Sequence, residues 1–488
     1  MFASSHRLNL QLRCTFGTRV VDMINQFPTF PLVLDYGPRL LKTWTLGDEE
    51  GLLSALQHLS RASDIMLSAP QSTLEEVTAV MVEPAPRLEH LTLHSQSAEF
   101  VLPKGFLGGD APQLRYLILT GVSLAALCPL LPSATSLVSL VFERIPSSAY
   151  FPPDSLVAHT RAMPHLQTLS IGFLSTFPRP GFGTERFLPR GHIARVELPA
   201  LTQLIYRGVS AYIESLLAQI RTPLIRDVDV TLFNQLTLTI PRVRAFIRDL
   251  ETFRPSRARI DFTETSAHII VSAPQPSESP DVSLSISCAR LDFQVSAMAQ
   301  ICSGLFGTST GTGIGVGAGA TATALLLPVV EELMLGFHPG ELREEQRDED
   351  IVDTALWRAL LASFQYARTL RVHAALAADL SRALQPADGP VDEDPKLESE
   401  PLLLSELRTV VLLHGDDEGV LAAASEALGV FVDGRNRAGH VVNIEPRDLN
   451  RLSLTSLSTI SPSSSLRPGS KRTRPVSAKQ GDVKNGSA

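Results

Sequence analysis

The chain has 488 residues, of which 44% are hydrophobic and 19% charged, and its formal net charge is -8. That apolar content can bury a large core and excludes wholesale disorder, while net acidity argues against a dedicated nucleic-acid binder, whose binding face would be basic. Two Trp and six Tyr make no aromatic platform for sugars or bases, and the four scattered cysteines, Cys14, Cys128, Cys288 and Cys302, point to a reducing compartment rather than a disulfide framework.

In chain order, residues 1–12 contain His6 and Arg7 but no apolar h-region, so no secretory signal is read there. Asp48 is placed to cap a helix carrying Leu52, Leu53, Leu56 and Leu59, and Ser72 with Glu75 has capping-box spacing ahead of Leu74, Val77, Val80 and Met81. A pattern then begins to repeat: proline, any residue, apolar, two polar, apolar, any, apolar. It reads PRLEHLTLHS from Pro86, PQLRYLILTG from Pro112, PHLQTLSIGF from Pro164, PALTQLIYRG from Pro199 and PVVEELMLGF from Pro328. Weaker copies start at Thr135, Thr222, Tyr366 and Ser405. The first apolar anchors, Leu88, Leu114, Leu137, Leu166, Leu201 and Leu224, are separated by 26, 23, 29, 35 and 23 residues. This is the leucine-rich-repeat range with irregular insertions. Within one unit, alternation over Leu91 to Leu93 predicts a short strand with one buried face. The proline cannot extend a helix, so it is expected to end the preceding helix and start the strand.

The centre is less regular. Val228 to Ile240, the segments from Ala258 and from Ala267, and DVSLSISCARLDFQV from Asp281 are strand-like and helix-poor, and are expected to add longer strands or a hairpin. A Gly/Thr/Ala-rich run, 306–323, is expected to be a flexible insertion, and 387–400 an acidic loop. Asp353 can cap a helix carrying Leu356, Trp357, Leu360, Leu361 and Phe364, and Asp417 or Glu418 can start one with Val420, Leu421 and Leu428. The tail, 446–488, is Ser-rich and carries eight Lys/Arg against two Asp, which is +6 and leaves about -14 on the body; such a tail is expected to be disordered. Within it, KRTR (Lys471 to Arg474) offers a nuclear import signal, and the serines would be open to kinases.

NLQLRC near the start, FPLVLDYG, the PxLxxLxL strands, SLVFERIPSSAYFPPDSLV, GVSAYIESLL, FNQLTLTIP and ARLDFQV succeed one another in order. In this succession, from about Ser4 to about Val442, the chain resembles the fungal family of F-box proteins with degenerate leucine-rich-repeat domains. The resemblance implies a substrate receptor of a cullin-type ubiquitin ligase. It also implies that the F-box itself is missing or truncated, with residues 1–30 a remnant or N-terminal cap and Cys14 in its helical part. That leaves a Skp-type adaptor without its docking element.

The remaining chemical signals have plainer readings. Gly313, Gly315 and Ala318 match G-x-G-x-x-A, but Thr/Gly repetition precedes them and Pro328 interrupts the segment after them, so no nucleotide cofactor is expected. His90 and His94 would lie on one strand face about 13 Å apart, too far for one metal. HGDDEG from His414 is read as a helix start rather than a metal site, and the acidic run 341–350 as a solvated loop. Catalytic, cofactor-binding and metal residues are therefore expected to be none, the cysteines buried and structural, and the chain not an enzyme.

The expected fold is α/β: a leucine-rich-repeat-like solenoid over 31–445 with parallel strands lining a concave protein-binding face and an irregular β-rich centre. The compartment is cytoplasmic or nuclear. The alternatives are a scaffold with no ubiquitin connection and, less favoured, a membrane-attached protein anchored through 314–330.

Overall fold

The computed structural model describes residues 10–448 apart from 38–43, 96–99, 124–128, 147–148, 175–194, 234, 236–237, 251–254, 274–280, 307–329, 339–351, 386–401 and 415–417. The Gly-rich run from 307, both acidic runs, Cys128 and the tail beyond 448 lie outside the described residues.

The fold is α/β, built on one mostly parallel sheet of sixteen strands. The first nine are β1 (Leu12–Thr15), β2 (Leu32–Tyr36), β3 (Ala62–Ala69), β4 (His90–Ser95), β5 (Tyr116–Thr120), β6 (Ser139–Ile145), β7 (Thr168–Phe173), β8 (Gln203–Gly208) and β9 (Asp227–Phe233). They pair in sequence order and in parallel. The last three, β14 (Thr369–His373), β15 (Thr409–His414) and β16 (Asn443–Asp448), do the same. Between them the order reverses. Strands β10 (Arg257–Thr263), β11 (Ser266–Ser272) and β12 (Asp281–Ser287) enter backwards, so that β12 pairs with β9, β11 runs antiparallel between its neighbours, and β10 pairs with β13 (Glu332–His338). The expected central hairpin is thus β10–β11, turned at Glu264 and Thr265.

Helices connect the strands: α1 (Val20–Gln26), α2 (Leu46–Leu56), α3 (Gln71–Val80), α4 (Leu130–Ser133), α5 (Pro153–Thr160), α6 (Ser210–Gln219), α7 (Pro241–Arg248), α8 (Leu291–Phe306), α9 (Thr354–Leu361), α10 (Ala377–Leu384) and α11 (Glu418–Arg437). Strand alternation explains the layering. Leu91 and Leu93 of β4 are buried with Leu74 and Val77 of α3, while His90, Thr92 and His94 lie half-buried on the opposite face. One continuous core runs this way from Leu12 to Val442.

Ahead of β4 to β8 the repeat makes the same turn. The N–H of Leu88 donates to Ala85 O (3.1 Å), Leu114 to Ala111 O (3.1 Å), Leu137 to Ala134 O (3.2 Å), Leu166 to Met163 O (3.2 Å) and Leu201 to Leu198 O (3.3 Å). Where the repeat carries its proline, that residue is second in the turn, and its fixed φ is already suitable there. At the next copy the donor is Ile225, to Thr222 O (3.5 Å). Ile225 is 6% exposed and Leu224 58%, so Leu224 is not the anchor. Counting from Pro223, as from Pro86, selects Ile225.

Other expectations are corrected locally. Asp48 is not the cap of α2. Thr45 is, and Asp48 completes a capping box as the third helical residue. Ser72 and Glu75 form no box. Pro70 precedes α3, and Glu75 instead accepts from Gln71 Nε2. Asp353 does cap α9, accepting from Ala355 N (2.9 Å). LDFQV starts the 16-residue α8 rather than extending a strand, because this connection must travel past β11 and β10 to reach β13. Cys14 stands on β1, paired in register with Leu34 of β2, and not on a helix. The tail does not begin at Pro446, since β16 continues to Asp448 against β15.

Among the described residues no helix is long and apolar enough to cross a membrane. Of the stretch 314–330 only Val330 is described, buried ahead of β13.

Candidate functional site

The sheet face that carries no helix presents one row of side chains after another, strand by strand in register. Two stretches of it are chemically distinct.

The first lies on β3 to β5. His90 Nδ1 is 2.8 Å from Asp64 Oδ1, and the His90 ring stacks on Tyr116 with centroids 4.5 Å apart. His94 Nδ1 meets Ser68 Oγ at 3.0 Å. The two histidines therefore share a face but serve different partners on the neighbouring strand. For Asp64, burial pushes the carboxyl pKa up, but the hydrogen bonds from His90 and Ser63 outweigh it and the net shift is downward. Burial lowers the pKa of His94, helped by the Arg144 charge. Met66, 36% exposed, and the half-buried Ile118 make the stretch partly apolar.

The second lies where the strand order reverses. In β10 the sequence RARIDFT alternates strictly: Ala258, Ile260 and Phe262 enter the core, and Arg257, Arg259 and Asp261 face the other way. Asp261 is only 1% exposed. Its neighbours in register are His268 on β11 and Gly336 on β13. Asp261 Oδ2 is 2.5 Å from Arg259 Nε and 3.2 Å from His268 Nε2, and its Oδ1 is 3.4 Å from His338 Nε2. A Cβ at Gly336 would lie 1.9 Å from Asp261 Oδ1, so the carboxylate occupies the space that a side chain there would fill. Burial opposes ionisation of Asp261, yet the donors from His268 and His338 and the Arg259 charge hold its carboxyl far below the usual carboxylate range.

A second carboxylate, Glu332 of β13, bridges two more arginines. Its Oε2 is 3.0 Å from Arg257 Nε, and its Oε1 pairs with Arg371 Nε of β14. On the other side of the hairpin, Asp229 of β9 has a pKa raised by burial, which a hydrogen bond from Ser283 and the charge of His268 only partly offset. The turn beneath is pinned from the helix layer: buried Gln294 of α8 donates through Nε2 to Thr263 O (2.8 Å) and Cys288 O (2.7 Å).

Chemically, this arrangement holds one nearly inaccessible carboxylate, Asp261, and a second, Glu332, among guanidinium and imidazole donors. Among the described residues no group of three or more His, Cys, Asp or Glu is placed to hold a metal ion. Cys14, Cys288 and Cys302 are buried free thiols, and burial raises the pKa of Cys14 and of Cys302, which suits packing rather than nucleophilic use. Of HGDDEG, α11 begins at Glu418, and 415–417 lie outside the described residues.

None of Arg257, Arg259, Asp261, His268, Glu332, His338 and Arg371 is singled out by motif. Two local signals exist: three charged residues alternating along a strand whose other face is wholly apolar, and a glycine in the middle of β13. No family model matches the chain, and no curated protein matches it.

Proposed function

We propose that this protein is a protein-binding module: a leucine-rich-repeat-like solenoid whose helix-free strand face is the recognition surface, related to the substrate-recognition domains of F-box receptors in cullin-type ubiquitin ligases. The observation that carries the reading is the succession of single strands, one per repeat, that sets outward side chains side by side in register from β1 to β9. An array of this kind buries each unit only against its neighbours and leaves one long face for a partner. The pairing order, the common turn before the strands and the 23- to 35-residue anchor spacing support it.

The test is site-specific photo-crosslinking in cells. A crosslinker at Thr92 or Arg207 on the strand face should capture a discrete protein partner, and one at Glu76 on the exposed side of α3 should not. Capture from Glu76 alone would refute the reading. Affinity purification of the same chain separates its two forms: a co-purifying Skp-type adaptor and cullin support a ligase receptor, and a partner without them supports a ligase-independent scaffold.

A further inference from the structure

We propose that the arginine–histidine layer at the strand reversal is a receptor for an oxyanion, a phosphate monoester or closely spaced carboxylates, carried on a protein segment bound to the strand face. The inference rests on the protein-binding function and adds the partner's chemistry to it.

Three guanidiniums share one face: Arg257 and Arg259 stand on β10 and Arg371 on β14, the two strands that flank β13. Nε of each lies against a carboxylate, Arg257 and Arg371 against Glu332 and Arg259 against Asp261, and of the three only Arg259 Nε makes a hydrogen bond there. Among the described residues, their terminal nitrogens make no hydrogen bond to the protein. That bond fixes the Arg259 plane, and the terminal amino groups of all three remain to meet a ligand. That is the geometry in which guanidinium forks take phosphate or carboxylate oxygens in pairs.

The vertical order of charge points the same way. The carboxylates lie beneath, with side chains 1% exposed at Asp261 and 23% at Glu332. Arg257 is the most open of the three guanidiniums at 55%, with Arg259 at 32% and Arg371 at 24%, level with Glu332. A ligand arriving from solvent meets the Arg257 guanidinium and the His338 ring ahead of the Asp261 carboxylate. Register sets the reach: Arg259 and Arg371 flank Met334 in one row, two strand spacings or about 10 Å apart at Cα, within the span of two long side chains closing on one group. Gly336 keeps this arrangement possible, since any side chain there would expel the Asp261 carboxylate that orients Arg259, His268 and His338.

The test uses the full chain and short fluorescent Gly/Ala peptides containing adjacent phosphoserines, adjacent glutamates or adjacent serines, compared by anisotropy at physiological ionic strength. The phosphoserine peptide should bind and the serine peptide should not. Arg257→Gln and Arg371→Gln should each weaken binding about tenfold, with urea midpoints measured in parallel to show that the variants fold. Arg257, whose guanidinium is the more exposed, is the safer of the two. Arg13→Gln, on β1 at the far end of the face, should change nothing. Equal binding of the glutamate peptide assigns the carboxylate source, and phosphoserine alone the phosphate. The proposal is overturned if neither anionic peptide binds better than the serine peptide, if the variant carrying both substitutions binds as the wild type does, or if Arg13→Gln weakens binding as much as Arg371→Gln. If crosslinks at Thr92 persist while the peptides fail, only this inference falls. Loss of the crosslinks themselves removes the protein-binding function beneath it.

Discussion

Strands β1 to β9 and strands β10 to β13 belong to one sheet and share one core, but they solve different problems on the other face. In the first region each strand succeeds its predecessor in parallel, and polar contacts across the face are pairs: Arg13 with Asp35, Asp64 with His90, Ser68 with His94. In the second, the antiparallel β11 and the reversed order bring three strands' charges around one nearly inaccessible carboxylate. In the regular region the most buried carboxylate on this face, Asp35, is met by one arginine from the adjacent strand. At the reversal Asp261 meets groups from three strands and ties the hairpin to the strand that resumes the array. A buried carboxylate so enclosed is weak evidence of stability in itself, but removing a partner is costly.

The largest expected effects test whether the two regions share one core. Leu91→Ala in β4 and Ile260→Ala in β10, both fully buried, should each cost about 2–5 kcal/mol by urea denaturation. Leu224→Ala should cost less than about 0.5 kcal/mol, as an exposed position outside the anchor set. A large loss at Leu224 would restore it as the anchor and displace Ile225.

Asp261→Asn should cost roughly 3 kcal/mol at neutral pH, because it leaves Arg259 without its counter-charge in a nearly inaccessible site. The pH dependence has a definite sign. The folded pKa of Asp261 lies below the unfolded value of about 3.9, so its contribution is complete above that value and is lost as pH falls through and below it. The wild type should therefore lose stability on acidification more steeply than Asp261→Asn does. Asp64 shifts in the same direction but is a third exposed, so Asp64→Asn should flatten the acid limb less. Equal flattening would erase the distinction between the two regions.

Glycines sharpen it further. Gly336→Ala places a Cβ on the Asp261 carboxylate and should cost about 2 kcal/mol. Gly172→Ala, in β7 of the regular region, meets nothing closer than 3.7 Å and should be neutral or slightly stabilising. The smallest effects concern caps. Asp353→Ala should cost about 1 kcal/mol, and Ser72→Ala close to nothing, since only the first accepts a helix N–H.

Much of the regular region is legible in the sequence because its signals are local. A proline-led turn, a strand that alternates over a few residues and a buried leucine can all be read within one repeat. Counting leucines picks Leu224 wrongly, whereas the proline frame, with Pro223 equivalent to Pro86, selects Ile225 without a structure. The strand expected at LDFQV fails for a different reason. Phe293 is exposed on α8, and nothing local distinguishes Leu291 to Val295 from a short alternating strand. The three-strand detour lengthens that connection, and only the sheet order reveals it.

The candidate site is not legible, for the same reason in stronger form. Asp261, His268, His338 and Arg371 are spread over about 110 residues and belong to no motif. By itself the sequence determined the repeat period, the inward leucines, the proline turns and the α/β class, because these arise from period-2 alternation and backbone sterics within a few residues. The tertiary structure alone decided that β12 takes the place beside β9, that β10 lies against β13, and hence which charges meet. Strand order and register are properties of long-range pairing, and a one-residue slip would send every one of these side chains into the core.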